Sequence, residues 1–387
     1  MLLSAQIITL CFVDFILIMK NTLVIITIVS EIYAVCVGDL NQNNVIDTLD
    51  IISLVNNIIN NQFEDEISDM NYDNTTNILD VLMLVDIIID EHNQCDIIWG
   101  ETASFLPEYY FTADIDTNQI NQIIEYHTIA KQAWGSYGPL EFWVIGTNIS
   151  DAIQLDEYYC ELRVEKDPCL GNDYLQWCLI REYNFEDYAN EGGAGLSLIR
   201  EDNANCNGYS YMQITLSSQY PFPNESDYNV VTMHEYFHAY QHAHIDTYDY
   251  DQRAELMVVN PWWSEGGAEY MAQLLYSQQE EVYDNYLRDR MTWKMQSKND
   301  LFENELISDI SYGERAYIAY DLGTWAIAYL ISIVDIETYR SNFYNDLNEY
   351  GWEESFNINF GMTSDEFLIA FHEFLELNIN DQLSIIP

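Results

Sequence analysis

The sequence predicts an α+β fold in which strands come first along the main domain and helices follow. Strand-like runs rich in apolar, β-branched and aromatic residues lie at 141–147 (EFWVIGT) and 209–218 (YSYMQITLSS). After residue 228 the chain is mostly helical in pattern, including 321–334 and 363–376. A repeated loop-plus-helix pattern ahead of this domain predicts an additional small all-α unit.

The composition is strongly acidic, which excludes one class of partner. Thirteen Lys and Arg residues stand against 64 Asp and Glu residues, so that the formal net charge is −51. Such a surface repels phosphate backbones, and we expect no nucleic-acid binding. Calcium ions or a medium of high salt suit this charge, and solubility alone explains it equally well.

The N-terminus, residues 1–36, is typical of an export signal. Translation from Met19 fits best, because Lys20 then precedes an apolar run, and Ala34 and Cys36 stand at the cleavage positions. A membrane anchor is the alternative. No later segment reaches the roughly 20 apolar residues of a membrane span. We therefore expect a secreted or surface-attached protein with no stable membrane span after signal cleavage.

An exported chain meets an oxidising compartment, in which cysteines form disulfides. Four cysteines upstream of the main histidine cluster are candidates, and they allow three pairings: Cys160, Cys169, Cys178 and Cys206. Their spacing is too wide for a typical CxxC zinc site.

Two stretches repeat with an offset of 30 residues: DLNQNNVIDTLDIISLVNNIIN and DMNYDNTTNILDVLMLVDIIID. Oxygen-bearing side chains occupy loop positions 1, 3, 5, 9 and 12 of each, which is the spacing that wraps Ca²⁺. In the first loop these residues are Asp39, Asn41, Asn43, Asp47 and Asp50. In the second they are Asp69, Asn71, Asp73, Asn77 and Asp80. The pattern predicts two structural calcium ions, each loop leading into an apolar helix.

The duplicated loop-plus-helix pattern, closed by Asp at position 12, resembles a type I dockerin. We assign this module to residues 37–92 and a linker to 93–104. The resemblance implies a calcium-dependent attachment to a cohesin-like protein on a scaffold or a cell surface.

Four of the seven histidines lie within residues 234–244, HEYFHAYQHAH. Residues four apart on a helix project from one face, so His234 and His238 can share one metal ion. Glu235 lies beside this pair, placed to take a proton from a metal-bound water. His242 has the same spacing from His238, but that pair lacks a neighbouring base. The functional unit is therefore HEYFH, an HExxH motif.

A third ligand is needed, and the first candidate is Glu265 in NPWWSEGGAEYMA, 27 positions after His238. Asn260 can cap a helix there and Pro261 can open it. The pair Gly266–Gly267 is expected to allow close packing against the histidine helix. Glu269, one turn beyond Glu265, is either a hydrogen-bond partner of a ligand histidine or a solvated acid.

The second candidate is His244, which completes the histidine spacing of metzincins. That family has Gly where this chain has Gln241, because the backbone must turn sharply there. Gln has no easy route into that conformation, so Glu265 is the better candidate.

The HExxH motif followed by W-x-E-G-x-A-E resembles gluzincin metallopeptidases, most of all bacterial collagenase-type members, over roughly residues 209–335. The resemblance implies a zincin-type catalytic domain at 105–387, with a twisted mixed sheet, an active-site helix and a helical C-terminal subdomain. It implies catalytic Zn²⁺ on His234, His238 and Glu265. It also implies that a Tyr in a Y-x-x-G motif donates to the oxyanion; Tyr320 fits this motif, and Tyr317 is a rival.

Together these features predict a secreted zinc metallopeptidase acting on protein or peptide substrates, with Glu235 as general base. An endopeptidase is favoured over an aminopeptidase, because no motif for a free amine precedes His234. The strand at 209–218 is expected to be an edge strand that pairs with substrate. The alternative is a non-catalytic, calcium-dependent adhesion or scaffold component with a degenerate zincin domain, and the intact HExxH motif favours the enzyme.

Overall fold

The computed structural model describes residues 38–41, 46–60, 68, 75–89, 102, 107–166, 170, 172–181, 184–199, 211–218, 228–247, 250–257 and 261–387. The export-signal prediction and most of the linker lie outside these ranges. So do several residues named above: Asn43, Asp69, Asn71, Asp73, Cys169, Cys206 and Asn260.

The N-terminal repeat contains two helices, α1 (Thr48–Asn60) and α2 (Ile78–Ile89). They pack on each other around a small apolar cluster: Ile46, Leu54, Val81 and Leu84. Leu54 and Leu84 occupy equivalent positions in the two repeats, and both are fully buried. The sequence repeat is therefore also a repeat of core positions.

The main domain contains a mixed sheet of four strands: β1 (Glu108–Phe111), β2 (Leu140–Ile145), β3 (Ala194–Ile199) and β4 (Tyr211–Ser217). Their spatial order is β1-β2-β4-β3, with β1, β2 and β4 parallel and β3 antiparallel to β4. The α+β class is confirmed. The expectation that the strand at 209–218 forms an edge is wrong: β4 pairs with β2 on one side and β3 on the other, and β3 is the edge strand beside it.

Thirteen helices make up the rest of the domain in the described residues. They are α3 (Thr117–Trp134), α4 (Ile149–Lys166), α5 (Asn172–Cys178), α6 (Phe185–Glu191), α7 (Tyr228–Ala243), α8 (Tyr250–Met257), α9 (Pro261–Tyr276), α10 (Tyr286–Lys294), α11 (Ala316–Ile333), α12 (Phe343–Tyr350), α13 (Trp352–Phe360), α14 (Ser364–Leu375) and α15 (Ile379–Leu383). Short 3-10 turns lie at Met295–Asp300 and Ile307–Asp309, and a π-helical turn at Thr338–Asn342. Local signals set several ends: the Asp116 carboxylate accepts from the Asn118 amide at the start of α3, and Thr363 and Glu366 form a capping box at α14.

The sheet is covered on both faces because successive residues of a strand point to opposite sides. Phe142 and Val144 of β2 belong to the large core that also contains buried residues of α3, α7, α9 and α11. Trp143 and Ile145, their neighbours along the strand, join a second cluster with α4 and α6. This arrangement places α7, which carries the HExxH motif, against the sheet.

Helix α9 lies at the centre of the helical layer and contacts both α7 and α11. The expectation that both glycines face the histidine helix needs correction. A Cβ atom at Gly266 would lie 2.4 Å from the backbone carbon of Gly323, so Gly266 permits close approach to α11. At Gly267 the nearest atom would be the Tyr339 hydroxyl, and the Gln241 amide of α7 would lie 3.3 Å away.

A disulfide joins Cys160 of α4 to Cys178 of α5, which is one of the expected cysteine pairings. Of the described helices, α11 alone is long and apolar enough to cross a membrane by length and composition, and 61% of that stretch is buried within the protein.

The basic side chains are less exposed than the acidic ones. Within the described residues, every Lys and Arg is buried or half-buried. Arg163 pairs with Glu141 at 2.6 Å, and Lys166 pairs with Glu108 and Glu141 at 2.6 and 3.0 Å. The fully exposed charged side chains in these ranges are carboxylates.

Candidate metal centre

Helix α7 presents two histidines on one face, as the HExxH spacing requires. His234 and His238 are both 8% exposed, and their ring centroids lie 4.8 Å apart. The Nε2 atoms of the two rings approach to 3.1 Å. The structure therefore directs the two imidazole nitrogens to one point.

Glu265 reaches the same point from α9, whose first residue is Pro261. Its Oε2 atom lies 3.3 Å from Nε2 of His234 and 3.0 Å from Nε2 of His238. Within the described part of the chain, His234, His238 and Glu265 form the only group of three such side chains able to hold a metal ion. Glu265 thus lies with the histidine pair, as the sequence predicts.

The outer nitrogen of each ring is held by an oxygen acceptor. Nδ1 of His234 lies 3.0 Å from Oε2 of Glu269, and Nδ1 of His238 lies 2.7 Å from Oε1 of Gln241. A carboxylate or amide oxygen only accepts, so each Nδ1 must carry the proton that is donated. In a neutral imidazole, the lone pair then lies on Nε2 and faces Glu265.

This arrangement fits a tetrahedral cation. Two imidazole lone pairs and a carboxylate oxygen repel one another unless a positive charge lies between them. Zinc binds such atoms at about 2.0–2.1 Å, which separates tetrahedral ligand atoms by roughly 3.3 Å. The three observed separations, 3.0 to 3.3 Å, are close to that value. Two nitrogens with one carboxylate is also a donor set of catalytic zinc sites.

The directions of the pKa shifts at this centre agree with a site for a cation. Burial lowers the pKa of His234, but hydrogen bonds to Glu265 and Glu269 outweigh burial and raise it well above its usual value. Burial raises the pKa of Glu265, but His238 and His234 outweigh it and hold that pKa well below the usual value. The site is therefore built to stabilise a positive charge.

Glu235 lies beside this point, 6% exposed. Its Oε2 atom is buried without a hydrogen-bond partner. Burial raises the pKa of this carboxyl group, and the two histidines oppose the shift. An unpartnered carboxylate oxygen beside a metal-type donor set is placed to exchange a proton with a small molecule there.

Three tyrosines line a cavity beside the centre. The Tyr320 ring lies parallel to His234, with centroids 6.5 Å apart, and burial together with Glu265 strongly raises its pKa. The Tyr317 hydroxyl donates to Asp300 at 3.1 Å. The Tyr312 hydroxyl donates to Oε1 of Glu265 at 2.8 Å. Of the two tyrosines named from the sequence, Tyr320 is thus the one that interacts with Glu265.

The other two histidines of residues 234–244 have different partners. His244 donates from Nδ1 to the Tyr240 carbonyl at 2.7 Å and lies among the rings of Tyr137, Tyr240 and Tyr344. Nδ1 of His242 accepts from Arg253 at 2.8 Å. His244 therefore does not join His234 and His238, and the metzincin alternative is not supported.

A cavity of about 1370 Å³ opens onto the centre. Its walls come from residues 193–196 at the start of the edge strand β3, from α7 and α9, and from the region 283–321. Tyr312, Tyr317 and Tyr320 all line it. The cavity is large enough to hold several residues of an extended peptide beside the two histidines.

The first of the two predicted calcium loops lies partly within the described residues. Asp50 is fully buried, and its carboxylate accepts from the amides of Asn41 at 3.1 Å and Asp47 at 2.8 Å. Asp39 is 4% exposed. The backbone amides of Asn41 and Asp47 thus meet at the carboxylate of position 12.

The second loop repeats this arrangement where it is described. Asp80 is fully buried and accepts from the Asn77 amide at 2.7 Å. The Asn77 side chain accepts from the Leu79 amide at 2.8 Å, as Asp47 does from Leu49 at 2.6 Å. Equivalent side chains of the two repeats therefore have equivalent contacts.

Three residues at the centre were not assigned a role from the sequence: Gln241, Lys294 and Tyr312. Gln241 stood out only as a departure from the metzincin pattern, although its position three residues after His238 signals a contact along the helix. Lys294 and Tyr312 come from distant segments, and the sequence has no local signal for either.

Comparison with family models, with curated proteins and with solved structures finds no match. The functional argument therefore depends on the residues and the geometry of the chain itself.

Proposed function

We propose that this chain is a secreted zinc metallopeptidase of the gluzincin type that hydrolyses peptide bonds in protein or peptide substrates. The observation that carries the proposal is the convergence of His234, His238 and Glu265 beside the unpartnered carboxylate oxygen of Glu235. The cavity at this point supports it, because a substrate needs room next to the base. We further propose that the calcium-loop module is dockerin-like and attaches the enzyme to a cohesin-like protein on a scaffold or cell surface.

A zinc ion, when bound by these three side chains, supplies a Lewis acid and lowers the pKa of water. Glu235 takes the proton of the attacking water and later returns it to the leaving amine nitrogen. Burial, which raises the pKa of Glu235, favours the intermediate state in which this residue carries the proton. Glu269 and Gln241 hold the ligand rings with their Nε2 atoms inward.

Tyrosine hydroxyl groups are the proposed hydrogen-bond donors to the oxyanion. Tyr320 and Tyr312 both interact with Glu265 and both line the cavity, so each can donate to the oxyanion that forms from the scissile carbonyl. Tyr317 is the weaker candidate, because its hydroxyl donates to Asp300 rather than to a proposed metal ligand.

The edge strand β3 is the proposed binding strand for substrate. Within the described residues it pairs only with β4, and residues 193–196 line the cavity. An extended peptide can add to such an edge by backbone hydrogen bonds, which do not require a particular terminus. This favours an endopeptidase over an aminopeptidase.

The test uses the full chain and a Glu235→Gln variant. We expect about one equivalent of zinc in both proteins. The unaltered protein should cleave internal bonds of a peptide pool, mapped by mass spectrometry, and a chelator should stop it. Because the amide cannot accept the proton, activity in Glu235→Gln should fall about 10²–10⁴-fold.

Full activity in Glu235→Gln would refute the role of this residue. A metal-free, inactive protein that still binds a cohesin domain in calcium would support the non-catalytic scaffold component instead. Release of single N-terminal residues would favour an aminopeptidase.

A further inference from the structure

Lys294, at the C-terminal end of α10, is a buried cation next to the candidate metal centre. It is 2% exposed. Its Nζ atom lies 2.8 Å from Oε1 of Glu269 and 3.1 Å from Oδ1 of Asp321. A lysine is almost never this deeply buried unless it is paired, because an ammonium group loses its hydration there. The two carboxylates account for its position.

Asp321 is itself anchored. Its Oδ2 atom accepts from the Ser297 hydroxyl at 2.5 Å. Lys294 is therefore fixed between a carboxylate on α11 and a carboxylate on α9. Its ammonium group has little freedom to leave Glu269.

The Glu269 carboxylate is engaged at both oxygens. Oε1 accepts from Lys294 and, at 2.9 Å, from the side-chain amide of Gln273, which the Tyr286 hydroxyl holds in turn at 2.8 Å. Oε2 faces Nδ1 of His234 at 3.0 Å. With both oxygens engaged, the carboxylate plane is set, and the orientation of the His234 ring follows from it.

We infer that Lys294 is a positioning residue for the metal centre: acting through Glu269, it fixes His234 with its proton on Nδ1 and its Nε2 lone pair facing His238 and Glu265. The inference rests on the proposed function in that the centre must bind a metal ion. It adds a chain of contacts, Lys294 to Glu269 to His234, that extends beyond the ligand set. A neutral side chain at 294 would leave a buried carboxylate without its counter-charge.

A purely structural role makes a different prediction. If Lys294 only cross-links α9, α10 and α11, its loss lowers stability but leaves the metal affinity of the folded protein unchanged. If Lys294 positions His234, metal affinity falls, and it falls only while Glu269 is present to transmit the effect.

The experiment compares Lys294→Met and Lys294→Gln with the matched control Lys298→Met. Lys298 lies one helical turn later and pairs with Glu376 at 2.9 Å, with 31% of its side chain exposed. Zinc affinity is measured on each folded full-length protein by competition with a chromophoric chelator, and the visible spectrum is recorded with Co²⁺. We expect Lys294→Met to bind zinc about tenfold more weakly or worse, with a changed Co²⁺ spectrum. Lys294→Gln, which keeps a donor, should lose less, and Lys298→Met should match the unaltered protein.

The decisive comparison repeats Lys294→Met in a Glu269→Gln background, where it should cause little further loss of zinc affinity. Equal losses with and without Glu269, or unchanged affinity and spectrum in a folded Lys294 variant, would overturn the inference. If neither Lys294 variant folds, the residue serves the fold, and the inference also fails. Neither readout uses peptide cleavage, so a protein that binds zinc without hydrolysing peptides would end the peptidase proposal alone.

Discussion

Gln241 accepts the Nδ1 proton of His238 at 2.7 Å, from a position three residues later on the same helix. The Gln241 amide nitrogen donates to the Ser264 carbonyl at 3.1 Å and to the Tyr344 hydroxyl at 3.2 Å. Because these contacts use the nitrogen, the oxygen is the atom that faces His238. The helix thus orients one of its own proposed ligands with a neutral amide, while His234 depends on a charged residue of another helix.

Removing this amide should weaken metal binding. In Gln241→Leu the His238 ring loses the acceptor that faces its Nδ1 atom, and we expect zinc affinity to fall about 10- to 100-fold. A competition titration with a chelator measures it. Gln382→Leu is the control, because Gln382 is equally buried and donates only to carbonyls near the end of α14. Equal affinity in Gln241→Leu and in the unaltered protein would remove Gln241 from the site.

The three cavity tyrosines can be separated by single Tyr→Phe changes. If Tyr320 or Tyr312 donates to the oxyanion, its Phe variant should lose about 10²–10³-fold in kcat, with KM little changed, because the contact exists only in the transition state. Tyr317→Phe is the matched control, since the Tyr317 hydroxyl donates to Asp300 rather than to a proposed metal ligand. Steady-state kinetics on one defined peptide decide it. A large loss in Tyr317→Phe alone would reverse the assignment.

Gly266 sets the distance between α9 and α11. An added Cβ would lie 2.4 to 2.8 Å from three backbone atoms of Gly323, which cannot move as a side chain can. We expect Gly266→Ala to lower the free energy of unfolding by about 1–3 kcal/mol or more. Gly195→Ala is the control, because its Cβ would meet one atom at 3.6 Å. Urea denaturation measures both; equal stabilities would show that the helices can separate without cost.

The sequence predicted the parts of the site that depend on local spacing. His234 and His238 share a face because they are one turn apart, and Pro261 opens the helix that carries Glu265. Cys160 and Cys178 were two of four candidates, and only the packing of α4 against α5 selects this pair.

Contacts between segments that are far apart in the sequence were harder to predict. The strand at 209–218 has the composition of any half-buried strand, and nothing in it reveals that β3 adds to its outer side. Gly266 indicates that another backbone approaches closely, but it does not identify that backbone. The sequence therefore suggested α7, whereas the neighbour is Gly323 of α11. Tyr312 is one of 30 tyrosines, and a phenol gives no pattern along the chain.

His127, which packs against Phe142 of β2, should make the stability of the protein depend on pH. His127 is 2% exposed, and burial, with a smaller contribution from Lys131, lowers its pKa from 6.5 to about 3. Between these values the unfolded chain binds a proton that the folded chain does not. Above pH 6.5 this group should therefore not lower the free energy of unfolding. As the pH drops from 6.5 toward 3, the free energy of unfolding should fall by about 1.4 kcal/mol per pH unit because of this group.

A His127→Phe variant isolates this contribution. Its urea denaturation, measured beside the unaltered protein from pH 5 to pH 7.5, should show a slope that is shallower by that amount below pH 6.5. The difference between the two proteins cancels the titration of the carboxylates. Parallel curves throughout the range would mean that His127 is protonated within the folded protein.

Calcium binding can be tested at the two position-12 carboxylates. Asp50→Asn and Asp80→Asn should each abolish the binding of about one of the two expected calcium ions. Each change removes the buried carboxylate at position 12 of one loop. Isothermal titration of the full chain gives the stoichiometry. Asp365→Asn, on the exposed start of α14, should leave it unchanged. Calcium uptake that is identical in all four proteins would contradict the loop assignment.

The low exposure of Lys and Arg makes the described exterior a polyanion. Ion pairs such as Lys298 with Glu376 offset only a few carboxylates, because 13 Lys and Arg residues stand against 64 Asp and Glu residues. The molecule therefore attracts a cloud of mobile counter-ions. Dissolved electrolyte then contributes to holding the chain compact. Partners that carry clustered ammonium or guanidinium groups are drawn toward it from a distance, and polyanions like itself are kept away.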